Sequence, residues 1–146
     1  MGLYRAMHLS TCRRSAIRAR FGEFFYSFVR QVKSYRQPQT PEEMLAQLQV
    51  IFPTFDHEWD EDEWPGMSRT CHGVVRDLAD YFPSNVATLT EQQVMEFACW
   101  LNGSVEAGGD VENAVSTCFL EHSRQIGVFE LLAPHLTSLA RSHTHA

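Results

Sequence analysis

The apolar residues that follow residue 40 recur at intervals of three and four positions, and this spacing most limits the folds open to the chain. Such intervals bring side chains onto one face of an α-helix, whereas a strand requires alternation. The pattern returns in stretches separated by proline and glycine, and no alternating pattern with hairpin turns competes with it. The sequence therefore predicts an all-α fold, an antiparallel bundle of five to six helices, with pairwise stacking like helical repeats as an alternative.

Two capping boxes indicate where helices begin. Thr40 and Glu43 stand three residues apart, with Pro41 between them at the first helical position. Thr90 and Gln93 repeat this arrangement further along the chain. In a capping box, the two side chains satisfy backbone N–H groups that the first turn of a helix leaves unpaired. Helices are therefore predicted to start directly after both threonines, and the second is apolar over so much of its surface that we expect it near the centre.

Weaker signals predict the other helix ends. Ser68 and Asp110 are expected to be N-caps, because short polar side chains accept hydrogen bonds from a first turn. Pro83 is expected to end the helix that follows Ser68, since proline lacks a backbone N–H. After a glycine turn, two short helices are predicted at residues 128–133 and 134–141.

Charge divides the chain into two parts. Residues 1–36 carry eight Lys or Arg and one acid, net +7, whereas residues 37–146 carry four basic and 17 acidic residues, net −13. A negative surface repels nucleic acid and attracts basic proteins, so we expect a basic protein partner and no nucleic acid. The predicted domains are a basic N-terminal arm with an amphipathic helix at 1–37, an acidic all-α domain at 38–142, and a disordered tail at 143–146.

The arm has two separate features. Residues 15–36 place seven apolar residues at helical spacing among basic ones, which predicts an extra amphipathic helix. Docking of its aromatic stripe on the acidic domain is favoured over peripheral association with an anionic membrane. Residues 1–22 have the Arg-rich, acid-free composition of a mitochondrial transit peptide, but a basic arm, or a true start at Met7 or Met44, is the preferred interpretation.

The compartment is predicted from apolar runs and cysteine spacing. The apolar runs are too short for a membrane-spanning helix, and the N-terminus lacks the apolar core of a secretory signal. The cysteines show no paired spacing, and three of them fall on apolar helical faces, where a free cysteine behaves as a small hydrophobe. We therefore expect a reducing, cytoplasmic compartment. The four cysteines are Cys12, Cys71, Cys99 and Cys118.

The most unusual stretch is the acidic segment, residues 56–64, which contains six carboxylates and two tryptophans. Its alternating acids, beginning at Asp56, resemble the start of a calcium-binding loop. An EF-hand also requires glycine at its sixth position and a bidentate glutamate at its twelfth, where this chain has Glu61 and Met67. Calcium is therefore not expected at this segment.

A protein partner fits the acidic segment better than an ion does. Carboxylates steer association with a basic surface, and large aromatic side chains supply much of the binding energy at interfaces. Trp100 is included because it lies on the polar side of its predicted helix. The alternative is a solvated acidic loop whose tryptophans pack into the core. The predicted partner-binding residues are Asp56, Glu58, Trp59, Asp60, Glu61, Asp62, Glu63, Trp64 and Trp100.

A metal-dependent enzyme or metal-binding protein is the alternative function. Cys118 and His122 stand four residues apart on one predicted helical face, and His72 beside Cys71 could add a ligand from another helix. A core cysteine with a hydrogen-bonded histidine is the favoured interpretation of that face. Because no complete catalytic or nucleotide-binding motif is present, no catalytic residue and no cofactor are predicted.

Four apolar motifs in the acidic domain stand out as units: IFPTF at 51–55 with Trp59 downstream, GVVRDLADYF at 73–82, VENAV at 111–115 and CFLE at 118–121. Together they resemble a family of small bacterial all-α domains of uncharacterised function. Domains of this kind resemble the immunity proteins that neutralise toxins exchanged between bacteria. The resemblance implies an inhibitory binding role, includes no catalytic residues, and does not extend to the arm.

Overall fold

The fold consists of helices joined by short turns. The computed structural model describes residues 35–60 and 66–144. These two ranges contain helices and no strand, so the predicted all-α bundle is confirmed for them. The helix predicted in the arm lies outside the described residues, apart from Tyr35 and Arg36. The α-helices are α1 (Pro41–Ile51), α2 (Cys71–Asn85), α3 (Glu91–Ala107), α4 (Gly109–Val115), α5 (Phe129–Leu132) and α6 (Ser138–Ser142).

Turns of other helical types connect these helices. Turns of 3-10 helix lie at Met67–Arg69, Val86–Thr88 and Ala133–His135. A π-helical turn at Ser116–Leu120 follows α4 directly, and the Glu121 N–H donates to the Ser116 carbonyl across it at 2.9 Å. The wider hydrogen-bonded ring of a π-helix changes the direction of the side chains that follow.

Both predicted capping boxes begin a helix. The Thr90 hydroxyl accepts from the Gln93 N–H at 3.2 Å, and the Gln93 side chain accepts from the Thr90 N–H at 2.9 Å. At α1 the Thr40 hydroxyl accepts from the Glu43 N–H, but the Glu43 carboxylate accepts from the N–H of Gln39. The helix starts are therefore confirmed, and in the Thr40–Glu43 box the return bond is displaced by one residue, to Gln39.

Two predictions for α2 are wrong. Thr70 caps this helix by accepting from the Gly73 N–H, whereas Ser68 lies in the preceding 3-10 turn. Pro83 lies inside α2 and does not end it. In this turn the Ser84 hydroxyl donates to the Asp80 carbonyl and the Asn85 amide donates to the Tyr81 carbonyl, which adds side-chain bonds beside the proline.

The C-terminal helices also begin and end differently from the prediction. Gly108 precedes α4 with a φ of +74°, a left-handed conformation that favours glycine, and Asp110 lies within the first turn of that helix. Both α5 and α6 are shorter than predicted, and α6 begins after Thr137, whose hydroxyl accepts from the Ala140 N–H. Within the described ranges, no helix has the length and apolar character needed to span a bilayer.

The aromatic core lies around Phe97 of α3, as the broad apolar surface of that helix predicts. The ring centroids of Phe52, Phe82 and Phe119 lie 5.2, 5.0 and 5.2 Å from that of Phe97, and all four side chains are fully buried. These residues come from α2, α3, the end of α1 and the π-helical turn. Tilted and edge-on ring pairs of this kind add to the free energy gained from burial. The core therefore ties three other parts of the chain to α3.

Candidate functional site

The described part of the acidic segment, residues 56–60, is a strip without helix or strand that follows α1. Its side chains alternate between the interior and solvent. His57 is buried and Trp59 is half-buried, whereas Asp56, Glu58 and Asp60 are exposed. Because burial alternates along the strip, the three carboxylates share its solvent-facing side. The strip thus presents a row of negative charges while its inner side is attached to the fold.

His57 makes the main inward attachment, and its side chain has no exposed surface. The Nδ1 atom lies 2.6 Å from the Asp77 carboxylate of α2, and the Nε2 atom lies 2.7 Å from the Ser68 carbonyl oxygen. Both partner groups are hydrogen-bond acceptors, since a carbonyl oxygen and an ionised carboxylate carry no proton. Two short contacts to acceptors require an N–H at both ring positions. In that doubly protonated state, His57 is an imidazolium paired with the Asp77 carboxylate.

Ser68 and Gly73 hold the other side of this cluster in place. The buried Ser68 hydroxyl donates to the Asp60 carbonyl at 3.0 Å, which fixes the far end of the strip. Gly73 lets the turn lie directly on α2, because a Cβ at this position would stand 2.4 Å from the Met67 carbonyl oxygen. Thr70 donates to that same oxygen at 2.7 Å. We call His57, Ser68, Thr70, Gly73 and Asp77 the polar cluster.

Trp59 completes the inner side of the strip. Its ring meets the His57 ring edge-on, with centroids 4.5 Å apart. It packs against the edge of the hydrophobic core and keeps part of its surface exposed. Trp59 therefore combines the two alternatives that the sequence left open. Its ring is anchored in the fold, as in a loop packed on the core, and part of it remains accessible to a partner.

The remaining predicted partner-binding residues have two different outcomes. Glu61, Asp62, Glu63 and Trp64 lie outside the described residues. Trp100 is 2% exposed, stacks on Phe97 at 6.1 Å and donates its indole N–H to the Gln47 side chain of α1 at 2.9 Å. The prediction that Trp100 contacts a partner is therefore wrong, because α1 covers the side of α3 that looked polar in sequence.

The predicted metal ligands do not converge. Cys118 is half-buried in the π-helical turn, whereas His122 is exposed and its Nδ1 lies 3.1 Å from the Gln125 side chain. The π-helical turn removes the four-residue alignment expected of an α-helix. His72 instead has Asn113 as its neighbour at 3.4 Å. Among the residues that the structure describes, no three His, Cys, Asp or Glu side chains form a group that could hold a metal ion.

The cysteines do not offer a reactive thiolate in this region. Cys71 and Cys118 are free thiols, whereas Cys99 is disulfide-bonded, which differs from the expectation that the cysteines are free. Burial raises the pKa of the Cys71 thiol, and the carboxylates of Asp110 and Glu42 raise it further. A raised pKa disfavours the thiolate that nucleophilic attack and metal binding require.

A shallow groove lies between the end of α1 and the start of α3, apart from the polar cluster. It is lined by Val50, Ile51, Pro53, Thr90, Gln92, Gln93 and Glu96. Two of its polar groups have partners within the fold. The Gln93 amide donates to the Ile51 carbonyl at 2.9 Å, and the Gln92 amide donates to the Glu96 carboxylate at 2.9 Å. The groove contains no acid–base pair or nucleophile of the kind that catalysis needs.

Comparison of the chain with models of known protein families, with curated proteins and with solved structures finds no match. The family resemblance of the apolar motifs therefore stays a prediction. The polar cluster provides the local geometry from which a function can be inferred. Sequence reasoning missed His57, Asp77 and the role of Ser68, although the alternation of Phe55, His57 and Trp59 was a readable sign that His57 points inward.

Proposed function

We propose that this chain is a non-catalytic protein-interaction domain that binds a basic protein partner through the acidic segment. The observation that supports this best is the strip of Asp56, Glu58 and Asp60, whose exposed carboxylates stand at alternate positions on a backbone attached to α2. A carboxylate row on a fixed backbone is complementary to a row of lysine or arginine side chains. Such complementarity favours both fast association and a defined orientation.

The described strip is held in place before any partner binds. A flexible acidic loop would lose conformational entropy when it binds, and that loss would reduce its affinity. The described strip is held at His57 and again at the Asp60 carbonyl, so less freedom remains to be lost. Trp59 adds a partly exposed aromatic surface beside the charges, which is the residue type enriched among energetically dominant interface positions.

The net charge of the acidic domain also favours a basic partner at long range. Residues 37–146 carry a net charge of −13, so a basic protein is attracted before contact. A domain with this potential is poorly suited to nucleic acid, whose phosphates it repels. The resemblance to immunity proteins supports the more specific proposal that the partner is a basic, toxin-like protein. In that case the carboxylates would occupy a cationic groove in place of phosphates.

An association experiment with matched variants tests the proposal. Three proteins are compared: the full chain, a strip variant and a control variant. The strip variant carries Asp56→Asn, Glu58→Gln and Asp60→Asn, and the control carries Asp80→Asn, Glu91→Gln and Glu130→Gln. Both variants lose three negative charges. The probe is a synthetic lysine-rich peptide, with association rates measured over a series of salt concentrations. We expect the first variant to associate about tenfold more slowly than the full chain at low salt, with a weaker salt dependence.

The control variant should associate almost as fast as the unmodified chain, because its altered residues are exposed acids outside the strip. Equal slowing of both variants would mean that only total charge matters, and the proposed site would be wrong. Unchanged rates in both variants would exclude electrostatic recognition by this domain.

A further inference from the structure

We infer that the His57–Asp77 pair is a proton-dependent latch, which holds residues 56–60 against α2 while His57 is an imidazolium and loosens them when the ring loses a proton. This inference deepens the proposed function, because it assigns a regulation to the same binding segment. The latch itself is a property of the fold and can be tested without a partner.

The number of N–H groups on the His57 ring determines which protonation state holds the strip. The imidazolium donates one N–H to Asp77 and the other to the Ser68 carbonyl, at 2.6 and 2.7 Å. A neutral ring has only one N–H, so one ring nitrogen would present a lone pair to an oxygen lone pair. Each neutral tautomer keeps one bond and loses the other: the Nδ1–H form leaves the Ser68 carbonyl without its donor, and the Nε2–H form turns a lone pair towards the partly exposed Asp77 carboxylate. Deprotonation therefore weakens the attachment whichever nitrogen keeps the proton.

The charges around His57 act in the same direction. Asp77 lies at one ring nitrogen, and the Asp56 carboxylate accepts from the His57 backbone N–H at 2.9 Å. Arg76 is the cation next to Asp77, with its Nε 3.6 Å from the other carboxylate oxygen and about half of its side chain exposed. Ser68 and Trp59 contribute an uncharged carbonyl and an aromatic edge. Loss of the imidazolium charge leaves the neighbouring carboxylates with less compensation, which adds repulsion to the lost bond.

The affected region is defined by the same contacts. Residues 56–60 are attached to the fold at His57 and through the Ser68 hydroxyl, and Ser68 also provides the carbonyl that His57 binds. Loss of the His57 bond therefore loosens the strip and the 3-10 turn at Met67–Arg69 together. The aromatic core does not include the polar cluster, so the bundle stays folded in the released state.

Asp77→Asn in the full chain is the decisive variant. Asparagine has the shape of aspartate but carries an amide N–H, which can donate to the lone pair of a neutral ring at Nδ1. Nε2 then still donates to the Ser68 carbonyl, so both contacts survive without a charged ring. Asp80→Asn is the matched control, since Asp80 is an exposed acid on the same helix and the change removes the same charge.

The measurements are the ring nitrogen shifts of His57 by NMR and amide hydrogen-exchange protection of residues 55–60 and 66–70 across a pH series. For the unmodified chain and Asp80→Asn, we expect a doubly protonated ring at the lower pH values. Protection should then fall about tenfold as the ring becomes neutral, the change expected for one charge-assisted hydrogen bond. For Asp77→Asn we expect protection that does not change with the protonation state of the ring.

Three results would overturn the latch: a neutral ring in the unmodified chain while the strip is protected, protection that stays constant as the ring titrates, or the same fall in all three proteins. If Asp77→Asn fails to fold, the ring shifts and exchange of the unmodified chain still decide the question. The lysine-rich peptide separates the latch from the proposed function. A protonation-dependent opening without any peptide binding would retain the latch and exclude the function, whereas peptide binding with constant protection would do the reverse.

Discussion

The interior of this molecule is held together in two different ways. Around Phe97, side chains from four parts of the chain meet through apolar surface, and no single contact has a required direction. Around His57, a small number of hydrogen bonds join residues 56–60 to α2 and to the 3-10 turn before it, and each has one donor and one acceptor. The core stabilises the bundle as a whole, whereas the polar cluster fixes the position of one exposed strip.

The comparison separates stability from positioning. Burial free energy is large and roughly proportional to area, so losing part of the core weakens the entire fold. A buried ion pair contributes little net stability, because desolvation offsets much of the attraction, but it specifies a particular arrangement. We therefore expect substitutions in the core to change the free energy of unfolding most, and substitutions in the polar cluster to change local order most.

The largest effect should follow Phe97→Ala. This change removes a fully buried ring that contacts three other phenylalanines, and we expect it to lower the free energy of unfolding by about 3–5 kcal/mol. Chemical denaturation monitored by circular dichroism provides the measurement. Leu139→Ala is the control, since Leu139 is 49% exposed and should change stability by less than about 0.5 kcal/mol. Equal losses for the two variants would contradict the central role of Phe97.

A pair of glycine substitutions tests the polar cluster by shape alone. Gly73→Ala would place a Cβ 2.4 Å from the Met67 carbonyl oxygen, so the turn must move off α2. We expect a loss of about 1–3 kcal/mol, together with faster amide exchange in residues 56–60. Gly103→Ala is the matched control in α3, where a Cβ meets nothing within 4 Å, and it should stabilise the fold by about 0.5–1 kcal/mol. A stabilising Gly73→Ala would show that the turn does not depend on this close approach.

Two N-cap threonines test whether the polar cluster is a local unit separate from the aromatic core. Thr90→Ala removes the cap of the central helix and should cost about 1 kcal/mol. Thr70→Ala removes the cap of α2 and also the bond to the Met67 carbonyl, so we expect about 1–2 kcal/mol and greater exchange in the acidic strip. Local exchange in that strip should not respond to Thr90→Ala. If both variants loosen the strip equally, the polar cluster is not a separate local unit.

The smallest effect concerns Tyr35, which packs at the edge of the core. Burial, together with the neighbouring Glu96 carboxylate 3.4 Å from the hydroxyl, raises its pKa from 10.0 to about 12. Its contribution to stability is therefore complete below about pH 10 and is lost as the pH rises towards 12. Ultraviolet titration of tyrosinate, with Tyr35→Phe subtracted, should show a lower Tyr35 pKa in Glu96→Gln that still exceeds 10.0. No change on this substitution would contradict the contact.

The helices could be predicted from sequence because their signals are local. The capping box of Thr90 and Gln93 and the apolar face around Phe97 are contained within a few turns of α3, and the structure confirms both. Pro83 misled the prediction because proline usually ends a helix, whereas here α2 continues to Asn85, with Ser84 and Asn85 forming side-chain bonds to the preceding turn.

The polar cluster could not be predicted from sequence because its bonds join distant positions. His57 and Asp77 are 20 residues apart, and nothing in their sequence spacing marks them as partners. Ser68 looked like a cap because it precedes a helix, but the close approach allowed by Gly73 turns it towards the acidic strip. Trp100 looked exposed because its neighbours in the helix are polar, and only the packing of α1 shows that it is covered.

The edge-on contact between Trp59 and His57, with ring centroids 4.5 Å apart, gives the molecule an optical signal of its own. An imidazolium accepts an electron from an excited indole and so darkens its fluorescence, whereas a neutral imidazole does so far less. The emission of Trp59 should therefore brighten when His57 loses its proton. In a full-length chain with Trp64→Phe and Trp100→Phe, the remaining tryptophan emission would report the charge on the buried His57 ring.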